Sequence, residues 1–236
     1  MMMLFKSFLP TEDFQMRKYA LAATIAALSL PSVTVAHEAG DVVLRVGTIH
    51  AAPDVSSSKI KLNGVKQPGT SVDVRSDTQL GLTATYMIMP RFGIELLAAT
   101  PFTHDVRVKG FGPADTKLGE VSHLPPTVSA QFFFLNPKSR FQPYVGLGLT
   151  YTMFYNEKLT RYQKSIGFSD LKLDDSVGVS GQLGMDLAIT DRLLLNAAVW
   201  KMSMSTTAKA KYQGQGIKVD LDVDPWVYFL GVGFKF

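Results

Sequence analysis

Across 236 residues the chain carries a formal charge of +4, 46% apolar residues, 11% aromatics and no cysteine. So small a charge gives no strong steering toward nucleic acid, and the absence of thiols excludes disulfide stabilisation, thiol catalysis and cysteine-based metal sites. After residue 36 no stretch offers the roughly 20 consecutive apolar residues of a membrane-spanning helix, so the apolar content must be spread over short segments.

The one long apolar run follows Met16-Arg17-Lys18, from Tyr19 to Leu30, and leads through Pro31 to Thr34-Val35-Ala36. A charged start, an apolar middle and a small-residue end describe a secretory signal peptide over 1–36, cleaved after Ala36. The residues before Met16 add nothing a leader needs, which makes Met16 a candidate true start. Cleavage removes three basic and two acidic residues, takes the net charge from +4 to +3, and leaves 37–236 as one domain.

From His37 onward, two-residue alternation between breakers predicts eight strands, at 42–50, 78–89, 92–102, 126–136, 141–155, 176–188, 192–212 and 217–236. The connections Met89-Pro90-Arg91, Asn136 to Arg140 and Ile189-Thr190-Asp191 are short; 51–77, 103–125 and 156–175 are long and rich in Gly, Ser, Asp and Lys. The fold class expected is all-β: an eight-stranded antiparallel transmembrane β-barrel with short periplasmic turns and longer extracellular loops. In the last segment Trp226, Tyr228, Leu230, Val232, Phe234 and Phe236 share one face, a lipid face with aromatic residues at both rims.

Parity then assigns the interior. Arg45, Glu95, Gln131, Gln182, Asp186, Asn196 and Lys235 all point inward, and charges of both signs in a narrow lumen are read as a side-chain plug. Gly146 and Gly148 make room for inward bulk from neighbouring strands. In the last hairpin, folded so that Tyr212 faces Ile217, Leu193 is expected opposite Phe236 and Lys209 opposite Asp220. Outward positions there turn polar while inward ones turn apolar: Trp200, Met202, Met204, Val219, Leu221, Val223, Val227 and Phe229. Two readings are open: a mini-core that stiffens a projecting half-barrel, and an apolar entrance for hydrophobic solutes. His104-Asp105 and Ser122-His123 fall in one long loop without a third partner, and the histidines at 37, 50, 104 and 123 lack ligand spacing. Neither enzyme chemistry nor a metal or other cofactor is expected.

The segments "SDTQLGLTATYM" (76–87), "GIELLAATPFTHDV" (93–106), "HLPPTVSAQFFF" (123–134), "FQPYVGLGLTYTMFY" (141–155) and "VDLDVDPWVYFLGVGFKF" (219–236) together resemble the OmpW family, from about Gly40 to Phe236. The resemblance implies a monomeric barrel in the outer membrane of a Gram-negative cell, in contact with lipid and lipopolysaccharide. It also implies passive passage of small, hydrophobic molecules, small amino acids being proposed for some members. Phe236 matches the terminal residue read by the barrel-assembly machinery. Pro101 matches the proline of a lateral-exit seam, and its missing amide hydrogen weakens a strand pair; the alternative is that it merely ends the strand. A rival reading is a closed structural or surface-receptor barrel whose loops bind a phage or toxin. A further one passes small polar solutes through the whole lumen.

Overall fold

The computed structural model describes residues 37–236; the expected signal peptide lies outside the described residues. The first half of the chain forms β1 (Val42–Ala52), the short strands β2 (Ser56–Ser57), β3 (Lys61–Leu62), β4 (Val65–Lys66) and β5 (Ser71–Val74), then β6 (Asp77–Met89), β7 (Phe92–Ala99) and β8 (Phe102–Lys109). The second half forms β9 (Lys117–Leu124), β10 (Thr127–Phe133), β11 (Phe141–Leu159), a one-turn helix α1 (Arg161–Ser165), β12 (Phe168–Leu173), β13 (Ser176–Ala188), β14 (Leu193–Met202), β15 (Ser205–Tyr212), β16 (Gln215–Asp222) and β17 (Trp226–Lys235).

Eight of these strands close on themselves in the order β10-β7-β6-β1-β17-β14-β13-β11, with β11 returning to β10, every pair antiparallel. Closure leaves no unpaired edge at membrane depth, which is the condition for a sheet to cross a bilayer. Alternation sorts the side chains as expected. Leu80, Leu82, Tyr86 and Ile88 are exposed while Gly81, Thr83, Thr85 and Met87 are buried between them. In β17 the exposed set is Trp226, Tyr228, Leu230, Val232 and Phe234, with Val227 and Phe229 buried between them. A continuous exposed apolar belt that would be a liability in water is what the hydrocarbon solvates.

Three sequence expectations are corrected. First, 103–125 is not a loop: β8 and β9 form a hairpin that pairs with β5 on one side and with the upper part of β11 on the other. Phe102, His104, Val106 and Val108 alternate with Thr103, Asp105, Arg107 and Lys109, a strand pattern masked by the glycines and charges around it. The segments 51–77 and 156–175 likewise contain β2 to β5 and α1 with β12.

Second, the last hairpin is shifted by two residues. Tyr212 pairs with Gln215, Lys209 with Lys218 and Leu193 with Phe234. The turn holds only Gln213 and Gly214, both at positive φ (49° and 78°), as a two-residue hairpin turn demands. A shift of two leaves every side chain on its expected face, and Lys209 finds Asp174 at 2.6 Å instead of Asp220.

Third, the last two strands are each interrupted, at Ser203-Met204 and at Val223-Asp224-Pro225. Above these breaks β12, β15, β16 and β3 form a second sheet that, with β5, β8 and β9, continues the wall beyond the barrel. Its inner side is a separate core: Ile60, Val72, Val106, Leu118, Val121, Phe168, Leu171, Ile217, Val219 and Leu221 are all buried.

Candidate functional site

From bottom to top the interior changes character in layers, each set by strand parity. At the base, Met87, Phe133 and Tyr144 pack together, and His37 lies against Phe133 with ring centroids 4.7 Å apart. In the sequence His37 stands only among histidines without ligand spacing, and alternation assigns it no place because it precedes the first strand.

The next layer is a polar network. Arg45 donates through Nε and Nη2 to both carboxylate oxygens of Asp186, at 2.9 and 2.5 Å, and through Nη1 to Thr85 at 2.7 Å. Glu95 lies 3.4 Å from the same guanidinium and accepts from Gln182 at 2.9 Å; Gln182 in turn accepts from Gln131 at 3.1 Å. Asn196 donates to Asp186 at 2.8 Å and to the Tyr144 hydroxyl at 2.9 Å. Every barrel strand except β17 contributes, and β17 supplies glycine: a Cβ on Gly233 would lie 2.9 Å from Arg45 Cγ. The expected room at Gly146 and Gly148 is also used, since side chains there would strike Gln182 at 2.5 Å and Ser129 at 2.3 Å. Arg45 is 1% exposed. Lys235 shares the inward parity but stands apart from the network, two residues below Arg45 at the rim, where it pairs with Asp41 at 3.5 Å.

Above the network the lining becomes apolar. Trp200 and Phe229, edge to face at 6.5 Å, form a floor with Ile49, Leu97, Phe102, Met202 and Val227. Above the floor lies a cavity of about 70 Å³ walled by Met204, Val219, Leu221 and Val223 from the last hairpin and by Val72, Val106, Leu118 and Val121 from the opposite wall. A smaller cavity of about 20 Å³ shares Ala51, His123, Met204 and Pro225 with it and reaches Ala98, Ala99 and Pro125. The eight inward residues expected to form an entrance therefore divide: Trp200 and Phe229 close the bottom, and the other six line one or both cavities.

Residues missed by sequence reading supply the opposite wall. Placing 103–125 in a hairpin brings His104 and His123 together, Nε2 to Nε2 at 2.9 Å, with ring centroids 4.9 Å apart and ring planes within 15° of parallel. Asp105 turns away to Lys117 at 2.7 Å and Ser122 to Thr103 at 3.1 Å, so no triad assembles from the adjacent pairs. Burial pushes the His123 imidazole down to about 3, and lowers His104 against the pull of the Arg75 carbonyl and Asp77. Among the described residues no group of three or more His, Cys, Asp or Glu is arranged to hold a metal ion.

Pro101 stands between β7 and β8. The β7–β10 pairing ends at Leu97 with Thr127, and the β8–β9 pairing begins at Phe102 with His123. Between them, residues 98–101 face 124–126 without a ladder pair, so the stretch that ends at Pro101 runs opposite the one that holds Pro125 and Pro126. The two registers differ by one residue, a mismatch that prolines on both sides accommodate because none of them offers an amide hydrogen.

A closed eight-stranded barrel with an apolar belt, a charge-paired lower lumen and an apolar upper chamber defines an outer-membrane β-barrel protein. The OmpW family profile matches residues 38–236, and the chain belongs to the OmpW family. Outer membrane protein W of Vibrio cholerae is 40% identical over 215 residues, 91% of this chain and 96% of that protein. The crystal structure of OprG from Pseudomonas aeruginosa superposes with a TM-score of 0.83 at 48% identity, covering 85% of this chain and 98% of that one. The solution structure of outer membrane protein W from Escherichia coli gives 0.58 at 38% identity, covering 85% and 100%. The chain is thus a protein of the cell outer membrane, in contact with its lipid.

Proposed function

We propose that this protein is a passive channel for small hydrophobic solutes, which enter the projecting half from outside and leave sideways into the outer leaflet. The observation that carries the reading is the stacking of an apolar chamber directly on a closed polar network. A hydrophobic solute is favoured in the upper half by desolvation, whereas the lower half offers it buried charges. The lateral route draws support from the second cavity, whose lining includes Ala98, a residue on the lipid face of β7 beside the unladdered stretch at Pro101. Met202 and Met204 line that connection, and their unbranched side chains adapt to passing shapes. In the same reading the protein works as a monomer without cofactor or chemistry, in lipid and lipopolysaccharide, and the exposed Phe236 serves the barrel-assembly machinery.

The test is uptake of a hydrophobic fluorescent probe into cells or liposomes. Met202→Asp and Leu221→Asp each place an unpaired carboxylate in the chamber, at a desolvation cost of several kcal/mol, and should reduce uptake at least about tenfold. Unchanged flux rejects the entrance. Baseline uptake and baseline conductance in the wild type would favour a closed barrel whose loops bind a phage or toxin, and water-continuous conductance would favour small polar solutes.

A further inference from the structure

We propose that His123 makes the chamber selective for small aromatic solutes that carry a hydrogen-bond donor, phenols being the chemical class. The proposal rests on the chamber's being a solute path and names what that path prefers.

The argument is a chain of proton assignments. The Arg75 carbonyl can only accept, so the ring nitrogen 2.6 Å from it, His104 Nδ1, carries the hydrogen. A neutral imidazole protonated at Nδ1 has a bare lone pair at Nε2. His123 Nε2 lies 2.9 Å from that lone pair and must donate to it. His123 is then protonated at Nε2, which leaves its Nδ1 a bare acceptor. That atom is buried and has no hydrogen-bond partner. Burial holds both rings in the neutral form on which this assignment depends.

The position of this acceptor gives it a role. His123 lines both the main cavity and the smaller one leading toward Pro125. The other polar side chains on those walls are already engaged: Thr206 donates to the Asp174 carbonyl at 2.5 Å, and both nitrogens of His104 are used. Among the polar side-chain atoms of the residues that line those walls, the His123 Nδ1 acceptor is the one left without a partner. Ketones and ethers gain nothing from it, and an O–H or N–H does. The shape of the wall adds the ring: Phe102, His104 and His123 lie within 10–20° of parallel, centroids 4.9–6.0 Å apart, and Phe154 closes on His123 at 5.7 Å. A flat aromatic solute can lie against the faces of these near-parallel rings. Sites built to satisfy a buried polar atom discriminate against analogues that leave it unpaired.

The experiment uses the folded barrel in bilayer nanodiscs, with histidine labelled by nitrogen-15, titrated with phenol and with toluene. Phenol is expected to shift the His123 Nδ1 resonance as a hydrogen-bonded acceptor and to bind about tenfold more tightly than toluene, which leaves that resonance in place. His123→Phe keeps a ring in the stack and removes the acceptor, so the ratio of phenol to toluene affinity should fall toward one; the heat-modifiable gel shift verifies that the variant is folded. The wild-type titration decides the question even where the variant does not fold. Equal binding of phenol and toluene with an unmoved Nδ1 overturns the selectivity and leaves the chamber standing. Exclusion of both compounds overturns the selectivity together with the chamber reading beneath it.

Discussion

Arg45 shows why a buried charge survives in this lumen. A guanidinium removed from water is tolerable only when its donors are matched, and here Asp186, Thr85 and Glu95 surround it. Removing it strands two carboxylates at a depth water does not reach. Arg45→Ala should therefore destabilise the barrel by about 3 kcal/mol, read from the urea unfolding midpoint in detergent micelles or bilayers; a midpoint equal to wild type would refute the network's structural role. The histidine pair works in the opposite sense, since its members are stable only uncharged. In the unfolded chain both titrate near about 6.5, while in the fold His123 lies near 3 and His104 is lowered. Between these values the unfolded state binds more protons, so stability rises with pH and is lost as pH falls from about 6.5 toward 3. Asp77 is the charged group that acts on both rings, and it opposes the shift. Each pH unit in that window should weaken the projecting wall by about 1.4 kcal/mol for His123, seen as faster proteolysis of β8 and β9 at pH 4.5 than at pH 7. Replacing both histidines with Phe should flatten the dependence, and a profile unchanged by that replacement would disprove it.

At the scale of elements, the proposed seam rests on two strand pairs that fail to meet in register. Pro101 alone could have ended a strand at the rim; β8 resuming one residue later, opposite a segment with two further prolines, makes it an interruption inside a continuous wall. Pro101→Val restores one amide donor, and the triple replacement of Pro101, Pro125 and Pro126 restores all of them. Uptake of a hydrophobic probe should fall modestly in the first and more in the second, with the heat-modifiable gel shift unchanged. Equal uptake in all three proteins discards the lateral exit. The last hairpin teaches a related lesson about register. Its two-residue turn moved every pair by two positions, yet lipid-facing and lumen-facing sets stayed intact because the side-chain period is also two.

For the whole molecule, closure is complete in the barrel and partial above it. Each of the eight spanning strands is joined to both neighbours by a backbone ladder, whereas the projecting wall is joined at two places by side chains: Ser57 accepts from the Val72 amide at 3.1 Å, and Glu157 from the Leu173 amide at 3.4 Å. Hydrogen exchange should therefore rank the structure, with β13 and β17 protected longest and the edge strands β5 and β12 exchanging first. Slower exchange in β5 than in β17 would contradict this account of where the fold is held. Partial closure also fits the proposed task, since a wall that opens is one that lacks a continuous ladder.

The sequence by itself determined the barrel, its strand number and the two faces of each strand, because a period of two survives errors of boundary and register alike. It placed Arg45, Glu95, Gln131, Gln182, Asp186 and Asn196 in one interior and Trp200, Met202 and Leu221 in another on parity alone. Only the tertiary structure decided what stands opposite the last hairpin. Phe102-Thr103-His104 and Val121-Ser122-His123 carry strand alternation, but Gly110, Gly112 and the charges between them read as a loop, and alternation says nothing of which distant strand shares a wall. The approach of His104 to His123, and of the stretch ending at Pro101 to the one holding Pro125 and Pro126, is a consequence of pairing across the sheet, where contacts depend on register between strands and not on spacing within one.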